Sequence, residues 1–273
     1  MLENVDLKRR LSREEYAKAL PGLQRRLYDL EKACWDQNIP SIILMEGWDA
    51  AGKGAAISAL TQRLDARGFK LHSIQPPSVW EQEYPWLWRF WLKIPNRGEM
   101  GIFARSWYMR VLSGRVEKAV SKREWRAAFD DIQDFERMLA DDGMVLVKLF
   151  LHISKREQKR RMKKLAADPL QSWRVTAEDR ARNRKYDEYA EAVEDVLALT
   201  EAAHAPWTIV EATSRWWARK KIFDTIIAAL EHRLGTAAPP YHASRDVAEH
   251  EADLRAAMES LEVPEEASDA GDA

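Results

Sequence analysis

The sequence predicts an α/β fold: a parallel sheet covered on both faces by helices, three layers in all. Three observations carry this. Short apolar runs at 42–45, 69–74, 100–103, 144–153 and 207–211 alternate with long charged or amphipathic stretches, as strands joined by crossover helices do. The first run, Ile42 to Met45, stops at Gly47, and a helical pattern resumes after Lys53 with Ala55, Ile57, Ala59 and Leu60. Apolar residues make up 46% of the 273 positions, including 12 tryptophans, which is enough to bury one large core.

Taken in order, residues 1–38 form a charged, amphipathic helical extension. Ser12 and Glu15 make a capping-box pair, and Tyr16, Leu20, Leu23, Leu27, Leu30 and Cys34 recur at helical spacing. Pro21 is predicted to break or kink that helix. The core is assigned to 39–234. Its first strand is followed by a helix to about Arg67, closed by Gly68 as a C-cap, and a second strand over 69–74. An aromatic helix over Trp80–Leu92 reads as core or interface, with Arg89 and Lys93 four apart on a face able to look into a phosphate groove. A strand at 100–103 leads to helices from Trp107 and over about 123–141. The strand 144–153 precedes two charged helical stretches, about 155–167 and 177–203, the second capped by Thr176. A last strand at 207–211 and a helix over 214–234 close the core. Residues 235–273 are an acidic tail, expected to be partly disordered.

The chain's near-neutral total hides two opposite blocks. Residues 155–185 hold 12 Lys/Arg against 4 Asp/Glu, and from Arg245 onward there are 2 Arg against 10 acids. The single cysteine, Cys34, excludes an intramolecular disulfide and a cysteine-cluster zinc site. With no signal-peptide pattern and no apolar run near the roughly 18 residues of a membrane span, a cytoplasmic protein without membrane contact is expected. The basic block carries no nucleic-acid recognition motif, so no nucleic-acid partner is expected.

The stretch with the most chemistry is Gly47-Trp-Asp49-Ala50-Ala51-Gly52-Lys53-Gly54. Strand, Gly-x4-Gly-Lys, helix is the context of a phosphate-binding loop. The glycines let the backbone turn its N–H groups and the helix N-terminus toward an anion, and Lys53 reaches the outer phosphate oxygens. The Ser or Thr that usually follows the lysine and holds Mg2+ is Gly54 here. Asp49, inside the loop, is therefore the candidate metal ligand for Mg2+ or Mn2+. The two charged stretches at 155–203 read as a lid over the loop. Its basic residues Lys155, Arg156, Lys159, Arg160, Arg161, Lys163, Lys164 and Arg174 suit a clamp on a polyanion.

Several motifs resemble the second polyphosphate kinase family. The loop 47–54 resembles its P-loop, and Phe103-Ala104-Arg105-Ser106-Trp107-Tyr108 its second signature, normally Phe-Asp-Arg-Ser-Trp-Tyr. Leu151-His-Ile-Ser-Lys155 to Gln158, Asp168-Pro169-Leu, Trp173-Arg174 and His204-Ala-Pro-Trp207 resemble its lid and the strand after it. The stretch from Tyr84 to Arg110 is most similar to members that phosphorylate AMP. The resemblance implies a P-loop kinase-like fold and Mg2+-dependent phosphoryl transfer between inorganic polyphosphate and a nucleotide, AMP to ADP foremost, or ADP and guanine counterparts. It implies phosphate-holding by Lys53, action on metal or acceptor phosphate by Asp49, a nucleotide-phosphate clamp in Arg105 and neutralisation of the migrating group by Arg174. Homo-oligomers, dimers or tetramers, are the expected assembly.

Two positions depart from the pattern: Ala104 stands where the signature has Asp, and Met109 where some members have a polar residue. Alanine ligates no cation. The alternative reading is therefore a degenerate polyphosphate- or nucleotide-binding subunit of the same fold. Glu99 and Glu46 are not expected to substitute for the missing carboxylate.

Overall fold

The computed structural model describes residues 1–235; the acidic tail expected over 235–273 falls outside them apart from Gly235. Five strands, β1 (Ser41–Gly47), β2 (Phe69–Ser73), β3 (Met100–Ala104), β4 (Val145–His152) and β5 (Trp207–Glu211), form one parallel sheet in the order β2-β3-β1-β4-β5. The chain leaves central β1 toward β2 and β3 on one side, then crosses to β4 and β5 on the other. The C-terminal end of β1 is therefore a switch point, where such sheets open a crevice for ligands.

β1 is apolar without alternation because both of its faces are covered. Ile43 and Met45 face one core and Ile42 and Leu44 the other, all fully buried. The first core is closed by α1 (Arg13–Asp36), α2 (Lys53–Thr61), α8 (Tyr186–Leu199) and α9 (Arg215–Leu234), through Leu27, Ile57, Val193 and Ile226. The second is built on Trp107, Tyr108 and α5 (Lys122–Asp141), which contributes Ile132 and Phe135. Between these lie the short helices α3 (Trp88–Trp91) and α4 (Ser113–Val116), then α6 (Lys155–Ala166) and α7 (Ala177–Arg184). No helix among the described residues is long and apolar enough to cross a membrane.

Several expected elements change shape for identifiable reasons. Pro21 does not break α1, which runs through it, capped by the Ser12–Glu15 box. A proline in a helix interior costs about 3 kcal/mol. Burial of Leu27, Leu30 and Cys34, and the 2.7 Å Arg26–Glu231 ion pair to α9, offset it. The helix after the loop ends at Thr61 and not at Arg67. Gly68 is no C-cap. A β-carbon there would meet the Glu31 carboxylate at 2.6 Å, so the residue is a point of close approach. The aromatic stretch is a 3-10 turn at Trp80–Glu83 and, beyond Pro85, α3. Arg89 is drawn inward to the Gln75 carbonyl (2.9 Å) and Glu81 (3.2 Å), and Lys93 caps the Arg89 carbonyl, so Arg89 packs as a structural cation and Lys93 follows it. The segment from Trp107 is a 3-10 turn followed by α4. The single helix expected over 177–203 is two. α7 starts on a Thr176–Asp179 capping box, whereas α8 buries Tyr186, Tyr189, Val193 and Val196 in the cores.

Candidate active site

The loop after β1 is shaped by three positive-φ residues, Gly47 (128°), Ala50 (60°) and Gly52 (110°). At Gly47 only glycine fits, since a β-carbon would lie 2.4 Å from the Leu151 carbonyl of β4. Trp48 anchors the loop from within. Its indole is buried, stacked on Tyr186 at 4.0 Å, and donates to Nδ1 of His152 (2.8 Å). Gly52 caps α2, so the first N–H groups of that helix face the mouth of the loop without intrahelical partners. Lys53 curls back and its Nζ donates to the carbonyls of Gly47 (2.6 Å) and Trp48 (3.0 Å).

His152 gives this anchor a pH dependence. It accepts at Nδ1, and its burial, opposed by Glu194, pulls its pKa from 6.5 down to about 4. Its folded pKa lies below the unfolded one, so its contribution is complete above pH 6.5 and lost as pH falls through about 4. The full span is worth roughly 3 kcal/mol. Glu31, raised by burial to about 7, runs the opposite way across the same window. Urea unfolding at pH 7 and pH 4.5 should therefore show a more acid-sensitive wild type than His152→Asn, and equal slopes would refute the assignment.

At the mouth of the loop four charged side chains converge. Asp49 receives Nη2 of Arg105 on Oδ1 (2.9 Å) and Nε of Arg182 on Oδ2 (2.7 Å). Burial pushes the Asp49 carboxyl up, but Lys53, Arg182 and Arg105 outweigh it and hold its pKa below the ordinary value. Burial lowers the pKa of Lys53, opposed by Asp49 and Glu46 and assisted by Arg105 and Arg182. Arg182 also bonds Asp179 at 2.6 Å, so α7 delivers it already oriented. Gln158 of α6 donates to the Asp49 carbonyl (3.2 Å) and accepts from Asn183 of α7 (2.7 Å), a second tie to the same residue.

Arg105 sits at the end of β3 in the left-handed region (φ 66°), its N–H on the Met45 carbonyl at 3.3 Å. The next three side chains hold this strained backbone in place. Ser106 donates to buried Glu46 (2.7 Å), and Trp107 Nε1 and Tyr108 OH both donate to Glu136 (2.9 and 2.8 Å). Glu136 is in turn paired with fully buried Lys148 at 2.8 Å. The Arg-Ser-Trp-Tyr motif is thus one arginine that reaches Asp49, followed by three anchors.

Of the residues singled out from sequence, Asp49, Lys53 and Arg105 meet at the loop. Arg174 lies over Gly54, its Nη2 3.7 Å from where a β-carbon there would stand. Lys155, Arg156, Lys159, Arg160, Lys163 and Lys164 are exposed on α6; Lys155 pairs with Asp187 and Arg160 with Glu157. Arg161 does not belong with them: it turns inward, to the loop's own carbonyls. Arg182 was not singled out. Glu46 is buried beneath Lys53 and Arg105 with its pKa raised by burial, and one oxygen is engaged by Ser106.

Among the described residues no three His, Cys, Asp or Glu converge as a preformed metal cage. Ala104 ends β3 beside Met45 and Ser73 and offers no side-chain oxygen. The donor set fits a Mg2+ that arrives with phosphates, since such an ion takes one or two carboxylates and fills its shell with phosphate oxygens and water. Asp49 is the carboxylate at the mouth able to supply that bond.

Comparison with known proteins agrees with this geometry. The family model described as Polyphosphate kinase 2 (PPK2) matches residues 10–237. A polyphosphate:AMP phosphotransferase of Pseudomonas syringae pv. tomato is 38% identical over 231 residues, covering 85% of this chain and 46% of that protein. The chain thus spans about half the length of the polyphosphate:AMP phosphotransferases it matches. An AMP/ADP-polyphosphate phosphotransferase of Meiothermus ruber is 32% identical over 214 residues, 78% of this chain and 80% of that protein. The crystal structure of polyphosphate kinase 2 from Arthrobacter aurescens TC1 superposes with a TM-score of 0.82 at 28% identity, covering 94% of this chain and 93% of that one. With the parallel sheet, the loop after β1 and the arginine at the end of β3 all in place, the chain belongs to the polyphosphate kinase 2 family.

Proposed function

We propose that the protein transfers a phosphoryl group between inorganic polyphosphate and a nucleoside phosphate, with AMP to ADP the favoured forward reaction. The observation that carries this is the cluster at the loop mouth, where Asp49 is held between Arg105 and Arg182 beside Lys53. An oxygen of the AMP phosphate attacks the terminal phosphorus of the chain, the P–O–P bond breaks, and a polyphosphate one unit shorter leaves. The transition state is loose, so the protein's work is positioning and charge neutralisation. Lys53 and the N–H groups at the start of α2 hold the phosphate accepted by the loop. Arg105 orients the nucleotide phosphate, and Arg174, over Gly54, closes on the migrating group. The exposed lysines and arginines of α6 line a path for the polyanion. The stretch able to act as a lid is shorter than 155–203, because α8 is built into the cores. Mg2+ (or Mn2+), held by Asp49 together with the phosphates, would neutralise charge on the transferring oxygens. The names of the P. syringae and M. ruber relatives support this choice of donor and acceptor.

The test is ADP formation from AMP and long-chain polyphosphate with Mg2+ or Mn2+, with ADP, GMP and GDP as further acceptors and ATP replacing polyphosphate as a control. Product from polyphosphate supports the reading. Polyphosphate binding with no product in any tube favours the degenerate subunit that Ala104 suggests. In an Ala104→Asp variant, a carboxylate at the end of β3 should raise turnover and lower the metal concentration for half-maximal rate. An unchanged or reduced rate would refute the argument that a carboxylate at this position serves the metal.

A further inference from the structure

Arg161 uses every hydrogen-bond donor it has. Nε donates to Glu157 (2.7 Å), Nη1 to the carbonyls of Ala50 (3.2 Å) and Ala51 (3.0 Å), and Nη2 to those of Ala212 (2.7 Å) and Thr213 (3.0 Å). A guanidinium carries five N–H bonds, so none is left for a phosphate. Its basic neighbours Lys159, Arg160, Lys163 and Lys164 are exposed, whereas its side chain is 19% exposed.

We infer that Arg161 is the positioning residue of the phosphate loop, setting the direction of the loop's N–H groups by holding the carbonyls on their far side. The inference rests on reading residues 47–54 as a phosphate site. In a trans peptide the C=O and the N–H of one plane point in opposite directions. Gripping the Ala51 carbonyl therefore aims the N–H of Gly52 away from α6, toward the mouth where Lys53 begins α2. The neighbouring plane is held at both ends: Arg161 takes the Ala50 carbonyl, and the Ala51 N–H donates to the Trp48 carbonyl at 3.1 Å. Such a grip is needed because Ala50 has φ 60°, a conformation an alanine does not keep unaided. The second fork fastens the turn between β5 and α9, whose Ala212 N–H is on the His152 carbonyl at 2.8 Å. One side chain thus joins the segments after β1 and β5 to α6. Hence α6 is fixed to the loop, and any closing motion takes place beyond it, in the segment that carries Arg174. Lysine is no substitute, since an ammonium offers three donors from one point and does not span two pairs of carbonyls.

The experiment titrates inorganic tripolyphosphate calorimetrically into the wild type, Arg161→Lys and Arg161→Ala, with thermal melts to confirm folding. Arg161→Lys keeps the charge, yet its affinity should fall about tenfold or more. Methylguanidinium should restore binding to Arg161→Ala but not to Lys53→Ala. In the wild type, whose folding is not in question, the 15N-resolved guanidinium signals of Arg161 should stay fixed when tripolyphosphate is added. A folded Arg161→Lys that binds like the wild type, or Arg161 signals that move on titration, would overturn the inference. Loss of binding in Arg161→Lys, in a protein whose wild type turns over no substrate, would leave the inference standing and remove the enzymatic reading. A wild type that binds no tripolyphosphate would remove both.

Discussion

Lys53→Ala should lower polyphosphate-dependent phosphoryl transfer by about a thousandfold in kcat/KM, roughly 4 kcal/mol of transition-state stabilisation. The lysine does two things that alanine does neither of. Its Nζ bridges the carbonyls of Gly47 and Trp48 and so draws the neck of the loop together. It is also the one cation of the cluster carried by the loop itself, whereas Arg105 comes from β3 and Arg182 from α7. Stability should change little. Burial already disfavours the ammonium, and Arg105 and Arg182 crowd it with like charge, so its removal relieves about as much as it costs. Initial rates with AMP and polyphosphate, beside a thermal melt, decide the matter. A loss below tenfold would mean that the backbone N–H groups and the two arginines hold the phosphates without it. Lys53→Arg separates the two roles, since it keeps the charge but replaces a compact ammonium by a broader planar fork.

The frame of this site is legible in the sequence because its determinants are local. Gly47 and Gly52 mark the loop, the unbroken run Ile42 to Met45 marks a strand buried on both faces, and the capping boxes at Ser12 and Thr176 mark helix starts. The features that escape are those only tertiary contact decides. Arg182 reaches Asp49 across 133 residues and looks, in sequence, like one more charge in a basic run. Arg161 did carry a signal. Gln158 and Met162 are the buried positions of α6 and Leu165 is half-buried, so Arg161, three from Gln158 and four from Leu165, borders that stripe, while Arg160, Lys163 and Lys164 do not; Lys159 borders its other side, and only contact separates the two. The polar beginning of α8 conceals its burial because Tyr186 and Tyr189 present apolar rings inward. Their hydroxyls are satisfied by the Ile153 carbonyl and Glu117. Pro21 misleads for a different reason: a local rule with a known cost is overridden by packing against α9.

Asp49→Asn should have the second large effect, a fall of about a hundredfold to a thousandfold in kcat with a smaller change in thermal stability. The substitution keeps the shape and one carbonyl oxygen but removes the negative charge that Arg105 and Arg182 share at the mouth. One of the two arginines then faces the amide NH2, a donor meeting a donor. Three cations, Lys53, Arg105 and Arg182, are left to repel one another around a neutral group. Asp49 is also the main partner holding up the pKa of Lys53 against burial, so in the variant the lysine should give up its proton at lower pH. The signature is therefore a pH profile as well as a rate. In the wild type the Asp49 carboxyl is held below its ordinary value and remains ionised through neutral and mildly acidic pH, which leaves activity flat there. In Asp49→Asn the residual activity should fall off on the alkaline side at a lower pH than in the wild type, as Lys53 deprotonates early. The dependence on Mg2+ should weaken at the same time, because the carboxylate proposed to hold the ion is gone. A variant with the wild-type alkaline limb and unchanged metal demand would place Asp49 among the residues that merely shape the turn.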